Sequence, residues 1–249
     1  MRNHFACLCC MFLLSLAAQT SASGLVFLLS LPEYVSASDL AEMRKAAAQG
    51  DAEAQCRLGM LYEFGRGVEK DEAQAVQWYQ KAADQGYAEA QSHLGVMHDQ
   101  GQGVPQNTAK AAQWFEKAAQ QGDDYAQCVL GEMYYVGRGV PRDLIRAARW
   151  YRKAAEQGTV NKAWAQYKLG EMYYSGRGVP KNASSAAQLF QEAAEQGNVA
   201  AQGYLGSMYL DGRGVIRDRD KGCMLLRKAA AGKDEKAVAL YNQVCAKRK

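Results

Sequence analysis

Apolar residues along this chain recur first with a helical period and then with a much longer one. Ala54, Leu58 and Leu61 fall at i, i+4 and i+7, with Tyr62 beside them. Ala75, Trp78, Tyr79 and Ala82 fall at i, i+3, i+4 and i+7. Each stretch predicts an amphipathic helix with a single apolar stripe. Neither helix can cover its own stripe, so each needs neighbours to pack on. The pattern then returns. Leu-Gly recurs at Leu58-Gly59, Leu94-Gly95, Leu130-Gly131, Leu169-Gly170 and Leu205-Gly206, at offsets of 36, 36, 39 and 36 residues. The three extra residues fall in "GTVNKA", near Thr159. Gly-x-Gly-Val follows from Gly65, Gly101, Gly137, Gly176 and Gly212. A bulky pair comes next: Trp78-Tyr79, Trp114-Phe115, Trp150-Tyr151, Leu189-Phe190 and Leu225-Leu226. A period of this length marks a stacked array, here of five helix pairs.

The glycine loop joins the two helices of each pair. Its glycines permit positive φ where the first helix ends. Asp71, Asn107, Asp143, Asn182 and Asp218 stand where the second helix needs an N-cap, and Pro105, Pro141 and Pro180 come just before that cap. A glycine loop beside an arginine also suits a phosphate. A phosphate-binding loop would follow a strand and continue Gly-Lys-Ser/Thr, and no copy does. The loop is therefore read as architectural.

In "AEAQCRLGMLYEFGRGV" (52–68), "AVQWYQKAADQG" (75–86) and their later copies, the chain resembles the Sel-one-like repeat (SLR) family, relatives of the tetratricopeptide repeats. The resemblance implies an all-α, right-handed superhelical solenoid of antiparallel helix pairs. Repeat two departs from the pattern with His98 for tyrosine and Gln102 for arginine, and repeat five with Leu225 for tryptophan. The expected organisation is an opening capping helix at 38–50, with Ser38 as its cap, and repeats at 51–86, 87–122, 123–158, 159–197 and 198–232. A closing helix and basic tail follow at 233–249.

The segment 1–37 differs from the rest. Arg2 precedes an apolar run from Phe5 to Ala18, then polar "QTSAS", then a second run from Leu25 to Leu31. Neither run reaches the ~20 residues of a spanning helix. Val35 and Ala37 fit a small-residue cleavage site before Ser38, and Thr20 and Ala22 an earlier one. A cleaved export signal is expected, giving a periplasmic or secreted protein. A retained segment would instead anchor it to a membrane.

Composition limits the functional classes. The 249 residues carry a net charge of +4 with acids and bases intermixed, too mild for a nucleic-acid face. Of seven cysteines, Cys56, Cys128, Cys223 and Cys245 lie beyond the signal, and none forms a C-x-x-C pair. Cys56 and Cys128 share a repeat position two units apart, about 20 Å by helix spacing and too far for a disulfide. Cys223 starts the last second helix and Cys245 ends the antiparallel closing helix, so those two are expected to bond. His93 and His98 are read as structural. Glu132 and Glu171 stand one repeat apart, about 10 Å, a poor acid–base pair. No catalysis, cofactor or metal is expected.

Variation concentrates on the first helices, on the face opposite the core stripe. That face holds the columns of Glu53, Cys56, Met60, Glu63 and Phe64. Resemblance to tetratricopeptide repeats makes it the lining of a concave groove. Repeat three places Tyr125, Cys128, Glu132, Tyr135 and Val136 there, and repeat four Trp164, Tyr167, Glu171, Tyr174 and Ser175. Aromatic anchors with carboxylates suit a protein or peptide ligand. The candidate groove residues are Tyr125, Glu132, Tyr135, Trp164, Tyr167, Glu171 and Tyr174. The loop arginines Arg66, Arg138, Arg177 and Arg213 read as solvated charge. The expected function is that of a monomeric, non-catalytic scaffold or adaptor. Its enzymatic rival is the cell-wall or β-lactam-related hydrolase role associated with cysteine-rich relatives, which carry a cysteine pair in every repeat, and a third reading is a membrane-anchored assembly factor.

Overall fold

The computed structural model describes residues 35–246. The N-terminal apolar runs and the basic tail Lys247-Arg248-Lys249 lie outside the described residues. Among the described residues there are twelve α-helices: α1 (Ala37–Ala48), α2 (Ala52–Phe64), α3 (Glu72–Asp84), α4 (Ala88–Gln100), α5 (Thr108–Gln120), α6 (Asp124–Val136), α7 (Leu144–Gln157), α8 (Lys162–Ser175), α9 (Ala183–Glu195), α10 (Val199–Asp211), α11 (Arg219–Ala231) and α12 (Glu235–Val244). They pack in consecutive pairs as an SLR-like solenoid. Helices α1–α6 form one compact unit and α7–α12 a second. Within each, every helix packs on the next in sequence.

Local chemistry sets the helix ends. Asp71, Asn107, Asn182 and Asp218 cap α3, α5, α9 and α11 as expected, each side chain accepting from a backbone N–H three residues on. The first loop glycine ends the preceding helix in the left-handed region, with φ 66° at Gly65 and 81° at Gly137. The second loop glycine has a different task. A Cβ on Gly103 would stand 2.3 Å from the Glu72 carbonyl oxygen, and one on Gly214 2.2 Å from that of Ala183. Each loop thus rests on the start of the previous repeat's second helix, and only a residue without a side chain fits there.

The core alternates rings and glycines. Tyr79, Phe115, Tyr151 and Phe190 are at most 1% exposed. Opposite them, a Cβ on Gly59, Gly95 or Gly170 would meet the ring of Tyr79, Phe115 or Phe190 at 2.7–2.8 Å. The Leu-Gly columns therefore exist to admit a ring from the second helix of the same repeat. The first member of each aromatic pair is less central than its spacing implies. Trp78 and Trp150 are only half-buried, with the ammonium groups of Lys81 and Lys153 over their rings at 3.9 and 4.6 Å.

The opening helix begins earlier than expected. Ser36, not Ser38, is the N-cap of α1 and accepts from the Asp39 N–H at 3.1 Å. Val35, 9% exposed, fills the place that a preceding repeat would occupy beside Gly67.

Candidate protein-binding surface

A first-helix column decides how neighbouring repeats meet, and the two units fill it with different chemistry. In the first unit, Glu63 of α2 lies under α4. His93 Nδ1 of α4 approaches Glu63 Oε2 at 3.2 Å. The Tyr79 hydroxyl donates to the same oxygen. The imidazole stacks on the Tyr79 ring, centroids 4.6 Å apart and planes 9° from parallel. One register on, Asp99 of α4 accepts two bonds from Arg138 Nη1, at 2.9 and 2.7 Å. Arg138 belongs to the next repeat's glycine loop, so it is a staple between repeats rather than solvated charge.

In the second unit the same positions are aromatic. Tyr204 of α10 stacks on Phe190, centroids 5.0 Å apart, as His93 does on Tyr79. Tyr174 of α8 stands where Glu63 stands and meets Tyr204 at 5.8 Å. Tyr167 joins from two turns earlier on the same helix, 6.0 Å from Tyr204. Glu171 lies among the rings. It accepts from the Tyr204 hydroxyl at 3.0 Å and pairs with the Tyr167 hydroxyl. Burial, and then the Glu171 charge, push both phenols up, so they stay protonated. Arg213, from the last repeat's loop, donates to the Tyr174 hydroxyl and lies 5.3 Å over its ring. The result is a half-buried cluster of rings around a carboxylate that keeps 28% side-chain exposure.

The seven expected groove residues are distributed as follows. Tyr167, Glu171 and Tyr174 come together in that cluster, which also takes in Phe190, Tyr204 and Arg213. Trp164 and Tyr125 do something else. Trp164 packs edge-on to Tyr151 at 5.5 Å, and Tyr125 edge-on to Phe115 at 6.2 Å, each covering the buried ring of the preceding second helix. Glu132 and Tyr135 lie half-buried on α6. The column is not an open face throughout. In α2, Cys56 and Met60 are 1% exposed and Glu63 8%, because α4 closes over them. Sequence reasoning passed over Tyr204, whose register column reads Arg57, His93, Val129, Lys168, Tyr204 and looks unremarkable position by position. The 14-residue offset that pairs His93 with Tyr79 and Tyr204 with Phe190 was the available signal.

Other reactive groups are placed simply. Cys223 and Cys245 form a disulfide with Cα atoms 5.6 Å apart, tying α11 to the end of α12. Cys56 and Cys128 are buried thiols. Among the described residues no cluster of His, Cys, Asp or Glu has the arrangement of a metal site.

These features define a tandem helix-pair repeat protein whose variable chemistry sits on its first helices. The Sel1 repeat profile matches residues 52–87, 88–123, 124–159, 165–198 and 199–234. The chain belongs to the Sel1 repeat family. Among solved structures it is similar to a protective antigen present in uropathogenic Escherichia coli strains and displaying an SLR fold. That match has 40% identity and a TM-score of 0.76, and covers 81% of this chain but 43% of the antigen. It is also similar to a Sel1 repeat protein from Oxalobacter formigenes, with 32% identity, a TM-score of 0.74, and 86% and 85% of the two chains covered. No curated protein matches.

Proposed function

We propose that this protein is an exported, non-catalytic scaffold that binds a protein or peptide segment on the first-helix face of repeats four and five. One observation carries the reading: Tyr167, Tyr174 and Tyr204 gather around Glu171, half-buried, with Tyr174 and Tyr204 at the positions that the Glu63–His93 ion pair fills in the first unit. Rings with two torsions each supply contact area at little entropic cost, and the carboxylate supplies direction. Export is supported by the Cys223–Cys245 bond, since such bonds persist in oxidising compartments. The similarity to a protein described as a protective antigen fits the same location.

The test begins with affinity capture from the native envelope and continues with variants against the captured partner. Tyr174→Ala is expected to weaken binding at least tenfold, about 1.4 kcal/mol, with little change in melting temperature. Tyr151→Ala removes a ring that is 0% exposed and is expected to unfold the protein, at about 3–5 kcal/mol. Should Tyr174→Ala melt as early as Tyr151→Ala and leave binding by the folded fraction unchanged, the cluster is packing alone.

A further inference from the structure

The junction between repeats one and two differs from its neighbours in a way that bears on control. Arg138 and Arg213 both reach back 39 residues, to Asp99 and Tyr174. The same offset from Glu63 lands on Gln102, which carries no charge. The loop backbone there is unchanged: Gln102 N–H donates to the Met97 carbonyl as Arg138 N–H does to Met133 and Arg213 N–H to Met208. Glu63 has therefore exchanged a loop arginine for the imidazole of His93. An arginine keeps its charge at every working pH, whereas a histidine does not. We propose that the junction of repeats one and two is a pH-sensitive lock, closed while His93 is charged and loosened when it loses its proton.

The surroundings set the direction. His93 is 3% exposed, and its Nε2 has no hydrogen-bond partner. Burial pushes its basicity down, but the Glu63 charge and hydrogen bond, with Glu89 on α4 and Asp123 at the start of α6, leave it above the ordinary histidine value. For Glu63, burial acts upward, and His93, Tyr79 and Lys70 together hold it below the ordinary carboxylate value. Burial raises Glu89 and Asp123, so acid protonates those two before Glu63. Burial also drives the Cys56 thiol and the Tyr79 phenol well up, so both stay neutral. The pair's full contribution is thus present below the unfolded histidine value, near 6.5, and is lost as pH rises through the raised folded value. On the acid side it is lost only as pH falls through the lowered value of Glu63. Above the upper limit a carboxylate 8% exposed loses its buried cation and keeps only the attraction of the exposed Lys70, which favours opening of the junction.

The experiment is amide hydrogen exchange on the full chain, expressed as protection factors from pH 6 to 9, with Gln102→Arg as the variant. Protection in α2 and α4 is expected to fall at least about threefold more than protection in α5 and α6. Gln102→Arg should abolish that excess by giving Glu63 the permanent partner that the other loops provide. NMR titration of the imidazole should place its midpoint on the same pH limb. A flat profile in the parent, or an undiminished fall in Gln102→Arg, overturns the proposal.

Discussion

Replacing Gly95 with alanine sets two effects of opposite sign against each other. Inside a helix alanine is favoured over glycine by about 0.8–1 kcal/mol. Against this, a Cβ on Gly95 would lie 2.7 Å from Cε1 of Phe115 and 2.8 Å from its Cδ1 and Cζ. Ordinary contact starts near 3.4 Å, so the ring edge must retreat by 3.4 − 2.7 = 0.7 Å. Phe115 is 1% exposed and its neighbour Trp114 7%, which leaves it nowhere to go. Overpacking a closed site costs about 1–3 kcal/mol, and three ring atoms in collision place this case in the upper half. The expected net loss is about 1–2 kcal/mol. Urea unfolding followed by far-ultraviolet circular dichroism reads it as a lower midpoint at unchanged slope. In a Phe115→Leu background the same substitution should cost about 1 kcal/mol less, a coupling that only direct contact produces. A Gly95→Ala protein as stable as its parent, or more so, would show that the Leu-Gly column is not there to admit the ring.

A chain beginning at Ser38 should be less stable than one beginning at Val35. It loses the Ser36 cap and the buried Val35 side chain, together about 2 kcal/mol, and thermal unfolding of the two chains decides it. Intact-mass analysis of native material tests the corollary that cleavage at Ala37 would discard both. The Cys223–Cys245 bond joins residues 22 apart, which the chain-entropy model values at about 3 kcal/mol. Reductant should therefore lower the melting of α11 and α12 before that of the other helices, while non-reduced peptide mapping recovers Cys223 linked to Cys245, with Cys56 and Cys128 as thiols.

The repeat register, the five loops and the caps at Asp71, Asn107, Asn182 and Asp218 could be read directly, because each depends on residues close in sequence. Contacts between repeats were harder, because they join positions 14, 30, 33 or 39 residues apart whose side chains do not match in type. His93 is legible as a structural histidine, yet nothing adjacent to it announces Glu63 or Tyr79. Arg138 looks like loop charge until Asp99 is seen to lie 39 residues back. Trp78 and Tyr79 are equally apolar by periodicity, and only the position of the facing Gly59 shows that the tyrosine is central. Ser36 and Ser38 are both competent caps. The buried Val35 favours the earlier one, and that contact is tertiary.

One backbone carries several junction chemistries here because register, rather than residue type, is what the array conserves along itself. Tyr79 and Phe190 occupy one column, His93 and Tyr204 a second, Glu63, Asp99 and Tyr174 a third. At both Tyr79 and Phe190 a second-helix ring lies beneath a first-helix side chain of the next repeat, and a loop arginine closes the third position at Asp99 and Tyr174 but not at Glu63. The first unit fills these places with a carboxylate and a histidine, at a desolvation cost that only correct pairing offsets. The second fills them with rings, which need no counter-charge and leave half-buried apolar edges at the surface. Under the two proposals made above, charge would make a junction responsive to pH, whereas ring edges would offer contact area to a partner. Exchanging the two sets, with His93→Tyr and Glu63→Tyr in the first unit, should therefore remove the pH response there without disturbing the helices. If helix content falls instead, the columns are not interchangeable, and register alone does not determine how one repeat meets the next.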